Sequence, residues 1–269
     1  MQKMYSEINE AIFGVPKFLL TEIEAKKTKY CLCIPIINEG DRIHKQLKRA
    51  QQNGIDQLVD IIICDGDSTD GSLDVDLLKT LGVNTLLTKK DSGKQGAQLR
   101  MGFWFALERG YDGILTIDGN NKDSIESVPL FIEKLEQGFD FVQGSRYVAG
   151  GQAINTPAIR HFAVKFIHSP LISLTARHRF TDSTNAFRCY SKKYLTHPKV
   201  KLFRPIFVTY ELLAFLSVRA SQLGLRVAEV PVTRAYPREG KTPTKISFFR
   251  GNFDLIKILI YNLFGKYNP

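Results

Sequence analysis

The chain has 269 residues, 43% of them hydrophobic and 24% charged, which is enough apolar matter for a full core and too much for a disordered or low-complexity protein. No run reaches the roughly 18–20 uninterrupted apolar residues of a membrane span, and the start of the chain lacks the charged-then-apolar order of a secretory leader, so the expected location is the cytosol. The formal net charge of +10 is uneven: residues 1–150 carry −4 and residues 151–269 carry +14, so the second half calls for an anionic partner.

Residues 1–29 are weakly patterned and read as a helical extension laid against the body. From Tyr30 the alternation is regular: strand 30–37, helix 40–53, strand 58–64, helix 73–81, strand 83–88, helix 94–109, strand 112–118, helix 124–137 and strand 139–145. Strands and helices in strict alternation with short connections imply right-handed crossovers and a parallel sheet. Beyond Arg146 the order changes to an apolar-basic stretch (160–180), the loop DSTNAFR (182–188), a helix near 209–223, a strand 225–233 and the basic loop YPREGKTPTKIS (236–247). The last segment, 247–266, sets Phe249, Phe253, Ile256, Leu259, Ile260 and Leu263 near one helical face with Arg250, Asp254 and Lys257 off it, and Ser247 and Gly265 suit its ends. It reads either as an interfacial helix lying on a bilayer or as a helix packed on the body, and the basic surroundings favour the bilayer. A second apolar-basic segment, HFAVKFIHSPLISL (161–174), is interrupted by Pro170.

Zinc-finger spacing, glycine-aromatic RNA-binding strands and a recognition helix are all missing, which argues against nucleic acid and for an anionic membrane surface as the partner. The four cysteines, Cys31, Cys33, Cys64 and Cys189, show no CxxC or Cys/His ligand spacing and read as reduced packing residues.

Three apolar runs, YCLCIPIINE (30–39), LVDIIICDGDSTDGS (58–72) and DGILTIDGNNKD (112–123), end in acidic or amide residues. A buried strand running out into polar ligands is how an open parallel sheet builds a site along its carboxyl edge. Asp65, followed by Gly66, Asp67, Ser68, Asp70 and Gly71, is either a nucleobase or ribose ligand or an ordinary Asp/Gly turn. Asp118 stands at the equivalent place after GILTI, so both acids are expected to face one crevice.

With IPIINEG (34–40), IIICDGDSTDGS (61–72), the helix GFWFALERG (102–110), TIDGN (116–120), VQGSRYVAGG (142–151), DSTNAFRCY (182–190), YELL (210–213), EVPV (229–232) and the REGKTPTKIS loop in this order, the sequence resembles the family 2 inverting glycosyltransferases. It is most similar to the branch of dolichyl-phosphate mannose synthase and bacterial polyprenyl-phosphate glycosyltransferases. The resemblance implies an α/β fold of GT-A type that binds a nucleotide sugar, with a mostly parallel sheet flanked by helices over 30–247 and an amphipathic helix over 248–269. It implies that Pro35, Glu39, Asp65, Lys94, Asp118, Asn120, Lys122 and Lys245 line the nucleotide-sugar pocket. On the same footing Arg146 and Arg160 would take the acceptor phosphate, and Asp118, Asp182, Arg188 and Arg238 would form the reaction centre. Thr184 would shape it, and Arg238 and Lys245 would sit on a loop closing over the donor. A phosphate acceptor is already nucleophilic and needs no strong base, which fits the absence of histidine beside these motifs; His44, His161, His168, His178 and His197 read as surface or packing residues.

The family's D-x-D motif implies Mg2+ or Mn2+, with Asp118 as its first acid. Here the second acid is Asn120 and the next polar position is Lys122, so an amide and an ammonium stand where a cation prefers carboxylates. Either Lys122 offsets diphosphate charge itself, or it points to solvent and the nucleotide diphosphate supplies the missing metal ligands; Asp123 is a candidate substitute ligand. The expected function is transfer of a sugar from a UDP- or GDP-sugar to a polyprenyl phosphate by a peripheral protein at the cytosolic membrane face. The alternatives are transfer to a saccharide or lipid-linked glycan hydroxyl with Asp182 as base, and a silent nucleotide-sugar-binding subunit serving a membrane-protein partner.

Overall fold

The computed structural model describes residues 2–4, 14–237 and 250–269. Its strands are β1 (Gln2–Met4), β2 (Phe18–Glu22), β3 (Tyr30–Ile36), β4 (Asp60–Asp65), β5 (Val83–Lys89), β6 (Gly113–Thr116), β7 (Phe141–Ser145), β8 (Gln152–Ile154), β9 (Arg188–Ser191), β10 (Val227–Pro231) and β11 (Thr233–Ala235). The helices are α1 (Asp41–Gln52), α2 (Ile55–Leu58), α3 (Val75–Thr80), α4 (Gln95–Glu108), α5 (Val128–Glu136), α6 (Ala158–Ala163), α7 (Ser169–Ala176), α8 (Lys192–Leu195), α9 (Glu211–Gln222) and α10 (Arg250–Leu263). Nine strands form one sheet in the order β1-β2-β5-β4-β3-β6-β9-β7-β10, and β8 pairs with β11 separately.

The centre of the sheet, β5-β4-β3-β6, is parallel. Its strands are apolar in their middles because helices cover both faces, with polar residues such as Asp60, Asp65, Asn84 and Lys89 at or near their ends. Successive residues point to opposite sides: Cys31, Cys33, Ile62 and Cys64 join the core beneath α4 and α9, while Leu32, Ile34, Ile61 and Ile63 join the core beneath α1 and α5. Helix α4 is buried on most of its circumference. It lies close on the sheet because Gly102 has no side chain; a Cβ there would stand 2.5 Å from the Cys64 Sγ. All four cysteines are buried with free thiols.

The expected helical extension at residues 1–29 is overturned where the structure describes it. Phe18–Glu22 pairs antiparallel with β5, and Gln2–Met4 pairs with β2. Phe18 and Leu20 are buried while Leu19 and Thr21 are half-buried, the period of two of a strand with one face on the core. The sheet therefore begins before residue 30. The single expected strand 225–233 is two, β10 and β11, each on a different sheet.

The second half carries the exposed apolar surface. Helices α6 and α7 are joined by a π-helical turn, Val164–His168, directly before Pro170. Proline donates no hydrogen bond and its ring collides with the preceding turn, which loosens the helix there. Ile159, Phe162, Phe166 and Leu174 of this unit are exposed, as are Phe253, Ile260 and Phe264 on or after α10, with Phe264 at 81%. The apolar stripe expected for the last helix is divided. Ile258, Leu259 and Tyr267 pack into the core, and Asn262 donates to the Ala214 carbonyl at 2.9 Å, so one face docks on the body while Phe253 and Ile260 face outward. Phe249 and Ser247 lie outside the described residues. No helix among the described residues is long and apolar enough to cross a membrane.

Candidate active site

The carboxyl ends of β3, β4 and β6 meet the N-terminus of α4, and the sequence-expected acids gather there. Gln98 of α4 donates to the carbonyls of Ile36 at 2.5 Å and Cys64 at 2.8 Å, tying the ends of β3 and β4 together. Pro35 is the one residue of β3 that is only half-buried. Asp65 is buried and closes its own turn, accepting from the Ser68 hydroxyl at 2.6 Å and from the amides of Asp67 and Ser68 at 3.1 Å. Burial raises its carboxyl above the ordinary value against the pull of these donors. The loops after β3 and β4 are laced by the Asn38 amide to Ser68 Oγ at 2.9 Å and the Gly40 amide to Asp70 at 2.8 Å. Glu39 receives Arg42 at 2.9 Å. Lys94 is exposed at the start of α4, where its amide donates to the Val208 carbonyl at 3.0 Å.

Asp118 follows β6 and remains partly exposed, with its side chain at 23%. It accepts from Gln95 at 3.1 Å, Asn120 at 3.3 Å and Arg234 at 3.2 Å. The turn needs Gly119, because a Cβ there would overlap the Ile36 side chain. Beyond it Lys122 and Asp123 are buried, and the segment runs beside β11, with the Ala235 amide donating to the Lys122 carbonyl at 2.8 Å. Arg234, on β11, holds both acids: its Nη1 donates to Asp123 and its Nη2 to Asp118. Burial alone would lower the pKa of this guanidinium, but Asp123 and Asp118 reverse the shift and keep it charged. Neither Gln95 nor Arg234 was among the sequence-expected residues. The only signal for Arg234 is a cation within the strand-like run EVPVTRA.

The acceptor side departs from what the resemblance implies. Arg146 is not presented to a ligand: its side chain is 2% exposed and grips Asp182 with Nε at 2.6 Å and Nη2 at 2.9 Å, the latter also reaching Thr184 at 2.7 Å. Burial would raise the Asp182 carboxyl, but the charge and hydrogen bonds of Arg146 win and hold it below the ordinary value, so it is a poor base. Glu229 anchors the same loop by accepting from Thr181 at 3.0 Å and the Asp182 amide at 3.2 Å. Arg188, expected in the reaction centre, clamps backbone instead, donating to the carbonyls of Asn185, Leu213 and Ser183 at 2.7–2.9 Å. Arg160, half-buried on α6, donates to the Tyr236 hydroxyl at 2.8 Å. Arg238 and Lys245 lie outside the described residues.

A cleft of about 540 Å3 adjoins this side, lined by Tyr147, His161, Lys165, Arg179, Phe180 and Thr181 among others. Three of these, Tyr147, His161 and Thr181, are chain neighbours of Arg146, Arg160 and Asp182.

A parallel sheet whose carboxyl edge gathers acids beside a cluster of cations is the architecture of a transferase for activated, phosphate-bearing donors. The glycosyl transferase family 2 pattern matches residues 31–203, and the chain belongs to that family. It is a glycosyltransferase of GT-A fold. It is 28% identical over 203 residues to the undecaprenyl-phosphate mannosyltransferase of Micrococcus luteus, covering 74% of this chain and 81% of that protein. It is 30% identical over 140 residues to the polyprenol monophosphomannose synthase of Mycolicibacterium smegmatis, spanning 51% of each. Among solved structures, the glucosyl-3-phosphoglycerate synthase of Mycobacterium tuberculosis, in complex with Mn2+, uridine diphosphate and phosphoglyceric acid, superimposes with a TM-score of 0.61 at 16% identity, over 88% of this chain and 78% of that one. The mannosyl-3-phosphoglycerate synthase of Rubrobacter xylanophilus gives 0.60 at 14%, over 87% and 72%. At such identities the likeness establishes the fold.

The divalent ion implied by the D-x-D resemblance does not fit the donors of this chain. Asp118 and Asp123 are both ion-paired to Arg234, the intervening position is Lys122, and no three His, Cys, Asp or Glu side chains converge among the described residues. Asp123, the candidate substitute ligand by position, is buried and held by Arg234.

Proposed function

We propose that the protein transfers a sugar from a nucleoside diphosphate sugar to the phosphate of a polyprenyl phosphate, working as a peripheral protein at an anionic, cytosol-facing membrane surface. The observation that carries this reading over transfer to a hydroxyl is the locking of Asp182 by Arg146. A hydroxyl acceptor needs a base, whereas a phosphate oxygen attacks without one. A relative aligned over 74% of this chain is named for an undecaprenyl-phosphate acceptor, which supports the same choice. In this reading Arg160, exposed more than Arg146, meets the acceptor phosphate, and the cleft lined by His161, Lys165 and Arg179 adjoins the α6–α7 unit whose Phe162 and Phe166 are exposed. Arg146 acts as a positioning residue by holding the 182–184 loop. In this reading Asp65, Pro35, Glu39 and Lys94 frame the nucleotide, while Arg238 and Lys245, which lie outside the described residues, are assigned to the donor side by the resemblance alone.

Incubation with a panel of UDP- and GDP-sugars and short polyprenyl phosphates is expected to give one glycosylated lipid phosphate. Product formed only on saccharide hydroxyls would sink the reading. A second expectation concerns the surface. Vesicles with anionic lipid should sediment the protein, neutral ones much less, since each basic residue near such a surface contributes about 1 kcal/mol and is screened by salt. Phe162→Ser with Phe166→Ser and Phe264→Ser should remove most of the salt-resistant remainder, because that part derives from buried apolar area. Equal binding to neutral and anionic vesicles, unchanged in the triple variant, would remove the membrane from the proposal.

A further inference from the structure

The cleft of about 540 Å3 beside Arg146 and Asp182 is lined by cations that the protein leaves without counter-charge. Lys165 and Arg179 are exposed, and among the described residues neither makes an ion pair or a side-chain hydrogen bond; Lys165 only rests 5.7 Å from the Phe166 ring. The carboxylates bordering the Thr181 wall are already engaged, Asp182 by Arg146 and Glu229 by Thr181 and the Asp182 amide. The hydroxyls differ among themselves. Ser169 donates to the Thr181 carbonyl at 3.1 Å and Ser173 to the Ser169 carbonyl at 2.6 Å, whereas the Tyr147 hydroxyl is buried with no partner among the described residues. A buried hydroxyl left unpaired is destabilising, so an acceptor oxygen carried in by a ligand would relieve it. The rest of the cleft is apolar: Phe180 and Pro170 line it, and Phe162, Phe166 and Leu174 of the same α6–α7 unit are 56%, 59% and 64% exposed.

A ligand that matches this lining has an anionic head rich in acceptor oxygens and an apolar tail. We propose that the cleft seats the phosphodiester headgroup of one anionic phospholipid of the bilayer, with Lys165 and Arg179 on the phosphate and the Tyr147 hydroxyl donating to one of its oxygens. The inference rests on the membrane reading above and goes beyond it, because diffuse attraction holds a protein near a surface whereas a seated headgroup fixes which face it presents. Lys165 lies between Phe162 and Phe166 in the chain, so a phosphate held by it stands at the level where those rings enter the acyl boundary. Arg160 is not part of the lining and donates to Tyr236 instead, so headgroup and acceptor phosphate are received at separate places.

Sedimentation of the intact protein with three kinds of vesicle tests this: phosphatidylcholine alone, phosphatidylcholine with phosphatidylglycerol, and phosphatidylcholine with a short polyprenyl phosphate. Lys165→Gln with Arg179→Gln should weaken binding to the phosphatidylglycerol vesicles by about tenfold or more. Lys192→Gln with Lys199→Gln removes the same charge from exposed lysines beyond β9 and should weaken it by no more than about threefold. Tyr147→Phe should weaken it by about threefold while melting at or above the parent temperature, since the hydroxyl it removes has no partner to lose. If the cleft pair costs no more binding than the control pair, and Tyr147→Phe costs none, the proposal is overturned and the membrane reading stands on diffuse charge. Losses confined to the polyprenyl phosphate vesicles would overturn it too, by assigning the cleft to the acceptor. A parent protein that sediments with none of the vesicles would bring down the membrane reading itself, and the proposal with it.

Discussion

Asp182→Ala is expected to destabilise the protein by about 3–5 kcal/mol, because it strands the Arg146 guanidinium unpaired in a site where its side chain is 2% exposed. The carboxylate also accepts from the Thr184 amide at 3.1 Å, so the 182–184 loop loses its anchor together with the charge pair. Replacing both partners, Arg146→Met with Asp182→Leu, should recover most of the lost stability, since a buried pair exchanged for apolar groups of similar volume is close to neutral. Activity should not return, because the loop geometry depends on the pair. Urea denaturation with the linear extrapolation checks both statements. A single variant within about 1 kcal/mol of the parent would show that the pair is not what holds the loop. The sign of the pH dependence follows from the same geometry. The folded-state carboxyl sits below its ordinary value, so its contribution is complete above the usual aspartate range and is lost only as pH falls through the lowered value.

Asp118→Asn should lower turnover by about a hundredfold or more, comparable to removing one preorganised electrostatic group, while leaving the fold intact. The side chain is partly exposed and its partners, Gln95, Asn120 and Arg234, are all donors oriented by its charge. An amide of the same shape supplies one acceptor oxygen and an NH2 that opposes Arg234. Initial rates at saturating donor, with a thermal melt as control, decide the matter. A variant within about threefold of the parent would mean that Asp118 is a bystander of the cationic cluster.

Much of this was legible in the sequence because the signals are local. The runs YCLCIPI and DIIICD are apolar on both faces, and the structure buries both faces, so β3 and β4 fall within two residues of where periodicity puts them. Asp118 and Asp65 were placed by the same logic of strand ends. What local signals do not carry is pairing at a distance. Arg146 and Asp182 each stand in a motif, but they are 36 positions apart and nothing in either motif says that they neutralise one another. Arg234 is 116 positions from Asp118 and was hidden because the strand reading stopped at 233. The strand Phe18–Glu22 escapes the sequence for a different reason: five residues with two apolar positions inward give too short a period to distinguish from an irregular segment.

The strand order also bears on how the molecule is made. Strands β4, β5 and β6 each emerge from synthesis after a strand they pair with, β3 for β4 and β6 and β4 for β5, so the centre of the sheet can be laid down as the chain lengthens. Strand β3 gains β4 within about thirty residues, whereas strand β7 waits longer. Its neighbours are β9 and β10, and both are synthesised after it, so residues 141–145 wait with two open edges until residue 191 has appeared. During that interval the apolar start of β7, Phe141 and Val142, offers unpaired backbone to any other nascent chain. The antiparallel entry of β9 between β6 and β7 joins the two parts of the sheet and closes one edge of β7, and the arrival of Val227–Pro231 as β10 closes the other.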